Sequence, residues 1–386
     1  MRISTNSAQI TADTLPDPLV SRDRIKVENA LTWRSKRRAE LLHLFEKFVY
    51  GRGPHRPNHE WFELIRSDFQ AMNGKVTLKE IAIHFTRGNA GPQMRLVVLV
   101  PNQSTKPAAI FLGTEDWHWP KELMLQRGYA IAYLENIRED IEQDENPEGW
   151  KKGIRGFFLK QTRHMRFAPH DWGAIGAWAW ALSRALDYLV TDSDVDARRV
   201  AVMGHSRWGK AALWAGAQDE RFAMVISNES GSGGAALARS SFGQAQQQRD
   251  IGIRDTDGSH SHWFCEIYKQ YVNRVDDLPV DQHELLALIA PRPVYIASAE
   301  EDQYTNPLSE FLAAKYADSV YRLFGLVGLG VKEMPPVNTP VGNFIGYHCR
   351  TGKHGVTDYD WKQYLRFADC HFGIKPKPCF STPSLN

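Results

Sequence analysis

Cysteine is scarce. The 386-residue chain has four, Cys265, Cys349, Cys370 and Cys379, and no two stand in a C-x-x-C pair. That lack removes the usual dithiol redox and zinc-ribbon spacings. Buried free thiols are the default expectation for so few, with Cys370 and Cys379 close enough in sequence to be a possible pair. No stretch approaches the roughly 18 consecutive apolar residues of a membrane-spanning helix. Internal repeats and low-complexity tracts are missing as well, and the first 20 residues carry no apolar segment of the secretory type. Neither sign of charge dominates, since 47 Lys and Arg oppose 45 Asp and Glu. A protein that coats nucleic acid has a strong basic excess, so neither nucleic acid nor a membrane is an expected partner.

What the chain does have is aromatic bulk: 12 Trp, 13 Tyr and 18 Phe. Such content implies a packed core and excludes disorder. A chain of this length buries about three quarters of its unfolded surface, enough to hold a core without metal or disulfide. Residues 33–50, WRSKRRAELLHLFEKFVY, read as an amphipathic helix. After it, short apolar runs at 94–100, 108–113, 129–135, 198–204, 224–228, 293–300 and 320–325 read as strands. Residues 171–190 and 210–217 read as helices between them. Val- and Ile-rich strands alternating with helices predict a mostly parallel sheet covered on both faces, a doubly wound α/β architecture. Residues 1–20 are polar and read as a flexible segment, and 21–386 as a single domain. Residues 231–283 break the rhythm with Gln, His and aromatics and read as an insertion near the site.

One segment carries the chemistry. In RRVAVMGHSRWGKAALWAGA a strand runs into Gly204-His205-Ser206-Arg207-Trp208-Gly209-Lys210 and a helix leaves it. A sharp strand-to-helix turn of this kind holds a serine hydroxyl out at the sheet edge. The pattern departs from G-x-S-x-G because Trp208 stands where the second Gly belongs, and Gly209 follows. The start of the helix offers backbone N–H groups to a developing oxyanion, and Arg207 is a further donor. The plainer alternative is that Ser206 only caps the helix.

The segment from Arg199 to Ala217 resembles the glucuronoyl esterases, carbohydrate esterase family 15, whose hallmark is G-C/H-S-R-x-G-K. WRSKRRAELLHLFEKFVYGRGP, DERFAMVISNESGSGGAAL, HWFCEIY, LLALIAPRPVYIASAEED and GYHCRTGKHGVTDYDW all look like the bacterial branch, so the likeness runs from about residue 16 to the last helix. It implies an α/β-hydrolase fold, a three-layer αβα sandwich. It also implies cleavage of esters between glucuronic acid in xylan and lignin alcohols. A monomer that acts on a glucuronate-ester carbohydrate is the expectation, secreted or periplasmic by resemblance, with no cofactor.

A serine nucleophile needs a base, and the base an orienting carboxylate. In this fold the chain order is Ser, acid, His, which leaves His348, His354 and His371. His354, in the Gly-flanked loop TGKHGVTDYDW, aligns with the family's base. His348 ends a strand and His371 lies on the last helix. Two carboxylates compete for the acid. Glu229, in SNESGSGG, matches the position that fungal members use. Asp302, in SAEEDQYTNP, has the commoner α/β-hydrolase position. Glu300 and Glu301 crowd Asp302, which favours Glu229 as the heavier contributor.

By resemblance, Lys210 hydrogen-bonds sugar hydroxyls. Gln244 stands where the family has a Glu that contacts the uronate, and Tyr304 stands where it has a Trp. Trp263 is a candidate for lining the cleft. His260, His262 and Cys265 lack the spacing of a regular zinc site, so no metal is expected. Two other readings compete: a different serine hydrolase on the same fold, such as an acetyl esterase or peptidase, and a non-catalytic carbohydrate-binding protein.

Overall fold

A computed structural model describes residues 15–88, 91–104, 106–114, 118–141, 152–160, 168–239, 261–272, 274–374 and 379–380. Ten strands form one sheet: β1 Trp61–Gln70, β2 Val76–His84, β3 Gln93–Pro101, β4 Ala108–Gly113, β5 Ala130–Leu134, β6 Val195–His205, β7 Met224–Asn228, β8 Val294–Ala299, β9 Val341–Gly342 and β10 Ile345–Arg350. Their order is β1-β2-β3-β5-β4-β6-β7-β8-β10-β9. From β5 through β10 neighbours run parallel, whereas β1, β2, β3 and the short β9 pair antiparallel.

The parallel strands read as unbroken apolar runs because both faces are covered. Val200 and Val202 of β6 point into one core with Val225 and Ile296, shared with the helices Ala174–Leu189, Arg207–Gln218 and Pro307–Leu323. Ala201 and Met203 point the other way with Ile226 and Tyr295, onto Trp361, Tyr364 and Leu365 of the helix Asp358–His371. This is a three-layer αβα sandwich. The segments at 93–101, 108–113, 174–189, 195–205, 207–218, 224–228 and 294–299 take the conformations expected of them.

Several details differ. Residues 320–325 are not a strand: the helix Pro307–Leu323 runs into them. Asn306 caps it, Pro307 opens it, and Phe311, Ala314, Ala317 and Tyr321 are buried at helical spacing. The hairpin β1–β2 had no counterpart among the expected strands. The helix of residues 33–50 opens with a π turn, Trp33–Arg37, before its α-helical body Arg38–Phe48. Residues 15–20 are tied down, for Pro18 O accepts from Arg37 Nε at 3.1 Å and His283 Nε2 meets Pro16 O at 2.8 Å. Cys370 and Cys379 form a disulfide, while Cys265 and Cys349 are buried free thiols. No helix among the described residues is long and apolar enough to cross a membrane.

Candidate active site

β6 ends at His205 and the helix Arg207–Gln218 starts two residues later. Ser206 makes that turn alone, at φ 55° and ψ −124°. Non-glycine residues rarely adopt such a backbone, and holding one there costs about 1–3 kcal/mol. The turn closes because glycines stand where side chains would collide. A Cβ on Gly204 would lie 2.1 Å from Trp208 O, and one on Gly209 would lie 3.0 Å from both Ser227 Oγ and Ser230 Cβ. Gly209 therefore does the work of the missing second glycine, and Trp208 is buried against Trp178 instead, ring centroids 4.5 Å apart. Ser206 makes no side-chain capping bond to the helix, which removes the capping explanation for it.

The next strand repeats the device. Ser206 N donates to Asn228 O at 2.8 Å, and Glu229 N donates to Ala297 O at 2.7 Å. Each residue thus extends its ladder by one bond before turning away, and Glu229 also has positive φ, 45°. His354 comes from the loop that follows β10. Its ring centroid is 4.5 Å from that of His205, the residue before the serine, so the imidazole sits at the elbow. Its Nδ1 is shared by two carboxylates: Asp302 Oδ2 at 2.6 Å and Glu229 Oε2 at 3.1 Å. With Nδ1 so engaged, the neutral ring carries its proton there and leaves Nε2 as the acceptor. The His354 side chain is 41% exposed, whereas both acids are buried.

The two acids are held differently. Thr305 donates to Asp302 through its hydroxyl at 2.6 Å and its backbone N–H at 3.3 Å. Burial opposes ionisation of Asp302, but the bonds from His354 and Thr305 outweigh it and hold the carboxyl below its usual range. Burial pushes Glu229 up to about 7, against the opposing pull of His354, Arg350 and the Gly355 N–H. For His354, burial would lower the pKa; the bonds to Asp302 and Glu229 prevail and raise it to about 9. Glu300 and Glu301 are exposed to solvent, so they do not crowd Asp302 in the way their sequence position implies.

The remaining candidates fall unevenly. Lys210 is buried, donates to Ser230 O and stands 5.9 Å over the Trp263 ring. Burial lowers its pKa to about 8. Arg207 lies over the same indole at 5.6 Å, so Trp263 joins the two cations of the elbow helix. Tyr304 is 49% exposed, next to Thr305. Gln244 and His260 lie outside the described residues. His348 is buried between Tyr295 OH and Asp360 Oδ1, 2.9 Å from each, and packs as a structural histidine. His371 Nε2 faces Asn343 O at 2.9 Å, away from the elbow. Among the described residues, His262 and Cys265 belong to no cluster of metal-ligating side chains.

Three contributors escaped the sequence reading. Thr305 holds Asp302 as described. Glu310, fully buried, accepts from Gly231 N at 2.8 Å and Ser298 Oγ at 2.7 Å, and so fixes the turn after Glu229. Arg350 bonds Glu229 Oε1 at 2.6 Å. Only Arg350 left a signal, as a cation four residues before the base.

A parallel sheet with a strained serine between strand and helix, and a histidine and acids delivered by later strand ends, defines the class: an α/β-hydrolase. The family model for glucuronyl esterase of fungi matches residues 83–325. The carbohydrate esterase MZ0003 from an unknown prokaryotic organism is 40% identical over 95% of this chain and 91% of its own. A solved glucuronoyl esterase from Solibacter usitatus superposes with a TM-score of 0.88 at 40% identity, covering 96% of this chain and all of that one. A 4-O-methyl-glucuronoyl methylesterase from Wolfiporia cocos is 28% identical over 81% of this chain and 73% of its own. The chain belongs to the glucuronoyl esterase family, carbohydrate esterase family 15.

Proposed function

We propose that this protein is a serine esterase that hydrolyses esters of glucuronic acid and its 4-O-methyl ether, of the kind that join xylan to lignin. The observation that carries the mechanism is the His354 Nδ1 engaged by Asp302 and Glu229 beside the strained Ser206. Ser206 Oγ attacks the ester carbonyl while His354 Nε2 takes its proton. Arg207 and a backbone N–H at the elbow receive the negative charge on the carbonyl oxygen. His354 then protonates the departing alcohol, and a water activated by the same nitrogen releases the uronate from the serine. The acids keep the imidazole in the required tautomer and balance the imidazolium.

The reacting carboxyl is esterified and neutral, so recognition of the sugar falls to hydroxyl contacts. Lys210, Tyr304, Gln244 and Trp263 are the residues we assign to it. The test is a panel of benzyl and methyl glucuronate, 4-nitrophenyl acetate and a peptide library. Uronate esters are expected to have the highest kcat/KM; faster turnover of acetate than of every uronate ester overturns the substrate assignment. Lys210→Ala is expected to raise KM for glucuronate esters about tenfold and to change 4-nitrophenyl acetate hydrolysis little. Equal losses on both substrates would place Lys210 in the architecture of the turn, through Ser230, and not on the sugar.

The raised pKa of His354 fixes the pH response. Below about 9 the imidazole of the free enzyme is protonated and cannot accept from Ser206. The kcat/KM profile should therefore climb with pH through the alkaline range. In Asp302→Ala the plateau should fall and its acid limb should move to lower pH, since one of the two groups favouring the cation is gone. An acid limb left unmoved in that variant would mean that Asp302 does not partner the base.

A further inference from the structure

Four buried carboxylates gather behind His354: Asp302 and Glu229 on its Nδ1, Asp360 beyond them, and Glu310, which feels the charge of both triad acids. When the imidazole is neutral, as it must be to act as base, it balances none of them. Buried like charges at such distances ordinarily force one group to take up a proton. Arg350 stands among them, 3% exposed. Its Nη2 donates to Glu229 Oε1 at 2.6 Å and its Nε to Asp360 Oδ2 at 2.8 Å. The same guanidinium also meets Thr351 O at 2.9 Å, Lys353 O at 3.0 Å and Gly355 O at 2.6 Å. The last two carbonyls flank His354 on either side. One planar cation therefore gathers the loop that carries the base and the inner of its two acids.

We propose that Arg350 is a positioning residue for catalysis: it holds Glu229 ionised as an acceptor at His354 Nδ1 and aims the imidazole by gripping the carbonyls on both sides of it. Asp302 instead accepts from His354 and the neutral Thr305, with Lys210 close enough to feel its charge, and it answers the imidazolium that forms during turnover. Without Arg350, Glu229 would take up a proton. A carboxylic acid beside Nδ1 is a donor where an acceptor is required, and it would compete with Asp302 for the wrong tautomer of the ring. A merely structural arginine would support the loop without regard to the charge on Glu229.

The two roles separate in a double-variant comparison of Arg350→Gln, Glu229→Gln and the pair. This inference rests on the esterase reading above, so each protein is assayed on both benzyl glucuronate and 4-nitrophenyl acetate. Arg350→Gln is expected to lose about 100-fold in kcat on both esters with KM within about threefold. The pair is expected to recover about tenfold over Arg350→Gln, because the protonated acid that donates toward Nδ1 has been replaced by an amide whose carbonyl can accept from it. Near-UV circular dichroism checks that each variant keeps its native packing. A pair no more active than Arg350→Gln, or an Arg350→Gln variant within threefold of the parent, overturns the proposal. Should Arg350→Gln fail to fold, recovery of folded protein in the pair supports the proposal, and failure of both overturns it. If the parent turns over acetate but no uronate ester, the substrate reading fails while the acetate series still decides the role of Arg350.

Discussion

Ser206→Ala is expected to lower kcat/KM for a glucuronate ester by about four orders of magnitude or more, the usual scale for removing the nucleophile of such a triad. The expectation rests on the turn itself. Ser206 is held at φ 55° and ψ −124° by Gly204, where a Cβ would collide with Trp208 O, and by Gly209, where one would press on Ser227 and Ser230. The hydroxyl makes no capping bond that would account for a serine there. Alanine fits the same backbone with the same strain, so the melting temperature should move by no more than a degree or two while activity disappears. Labelling by a fluorophosphonate, stoichiometric in the parent, should vanish with it. Near-full turnover in the variant would remove the acyl-enzyme mechanism altogether.

The elbow and the base were legible in the sequence because their determinants are contiguous. RVAVMG followed by HSRWGK places strand, turn and helix within a few residues, and His354 is marked by its Gly-flanked loop between β10 and the last helix. The parallel core strands were legible for a related reason: burial on both faces leaves apolar runs with no polar alternation, as in β7 and β8. Run length alone failed at 320–325, where the helical spacing of Phe311, Ala314 and Ala317 carries on through Tyr321 and decides the conformation. β1 escaped because it borders the sheet and faces solvent over most of its length, so Glu63, Arg66 and Asp68 interrupt any apolar pattern. The support of the acids was hidden more deeply. Arg350 and Glu229 are 121 positions apart in the chain and meet only because β7, β8 and β10 lie side by side in the sheet. Thr305 stands three residues after Asp302, yet nothing in QYTNP says that its hydroxyl turns back.

Asp302→Ala is expected to cost about 10²–10³-fold in kcat/KM, Glu229→Ala about tenfold, and the pair about 10⁴-fold, the scale of losing a triad acid outright. Sequence position favours Glu229 as the heavier partner; the distances are the reason for expecting Asp302 to be so instead. Asp302 Oδ2 is the closer acceptor at 2.6 Å, against 3.1 Å for Glu229 Oε2. Thr305 keeps Asp302 ionised, while Glu229 divides its charge among His354, Arg350 and the Gly355 N–H. Losing Asp302 removes the short bond and the charge that Arg350 does not already balance. Losing Glu229 leaves the stronger orienter in place and frees Arg350 to hold the loop carbonyls and Asp360. Each acid alone still fixes the proton on Nδ1, which is why neither single loss should reach that of the pair. The three proteins are best compared at one pH above 9, where His354 is neutral in the parent and differences in its protonation do not enter. A Glu229→Ala variant as inactive as the pair, with Asp302→Ala indistinguishable from the parent, would make Glu229 the sole acid and reduce Asp302 to a strand-end carboxylate.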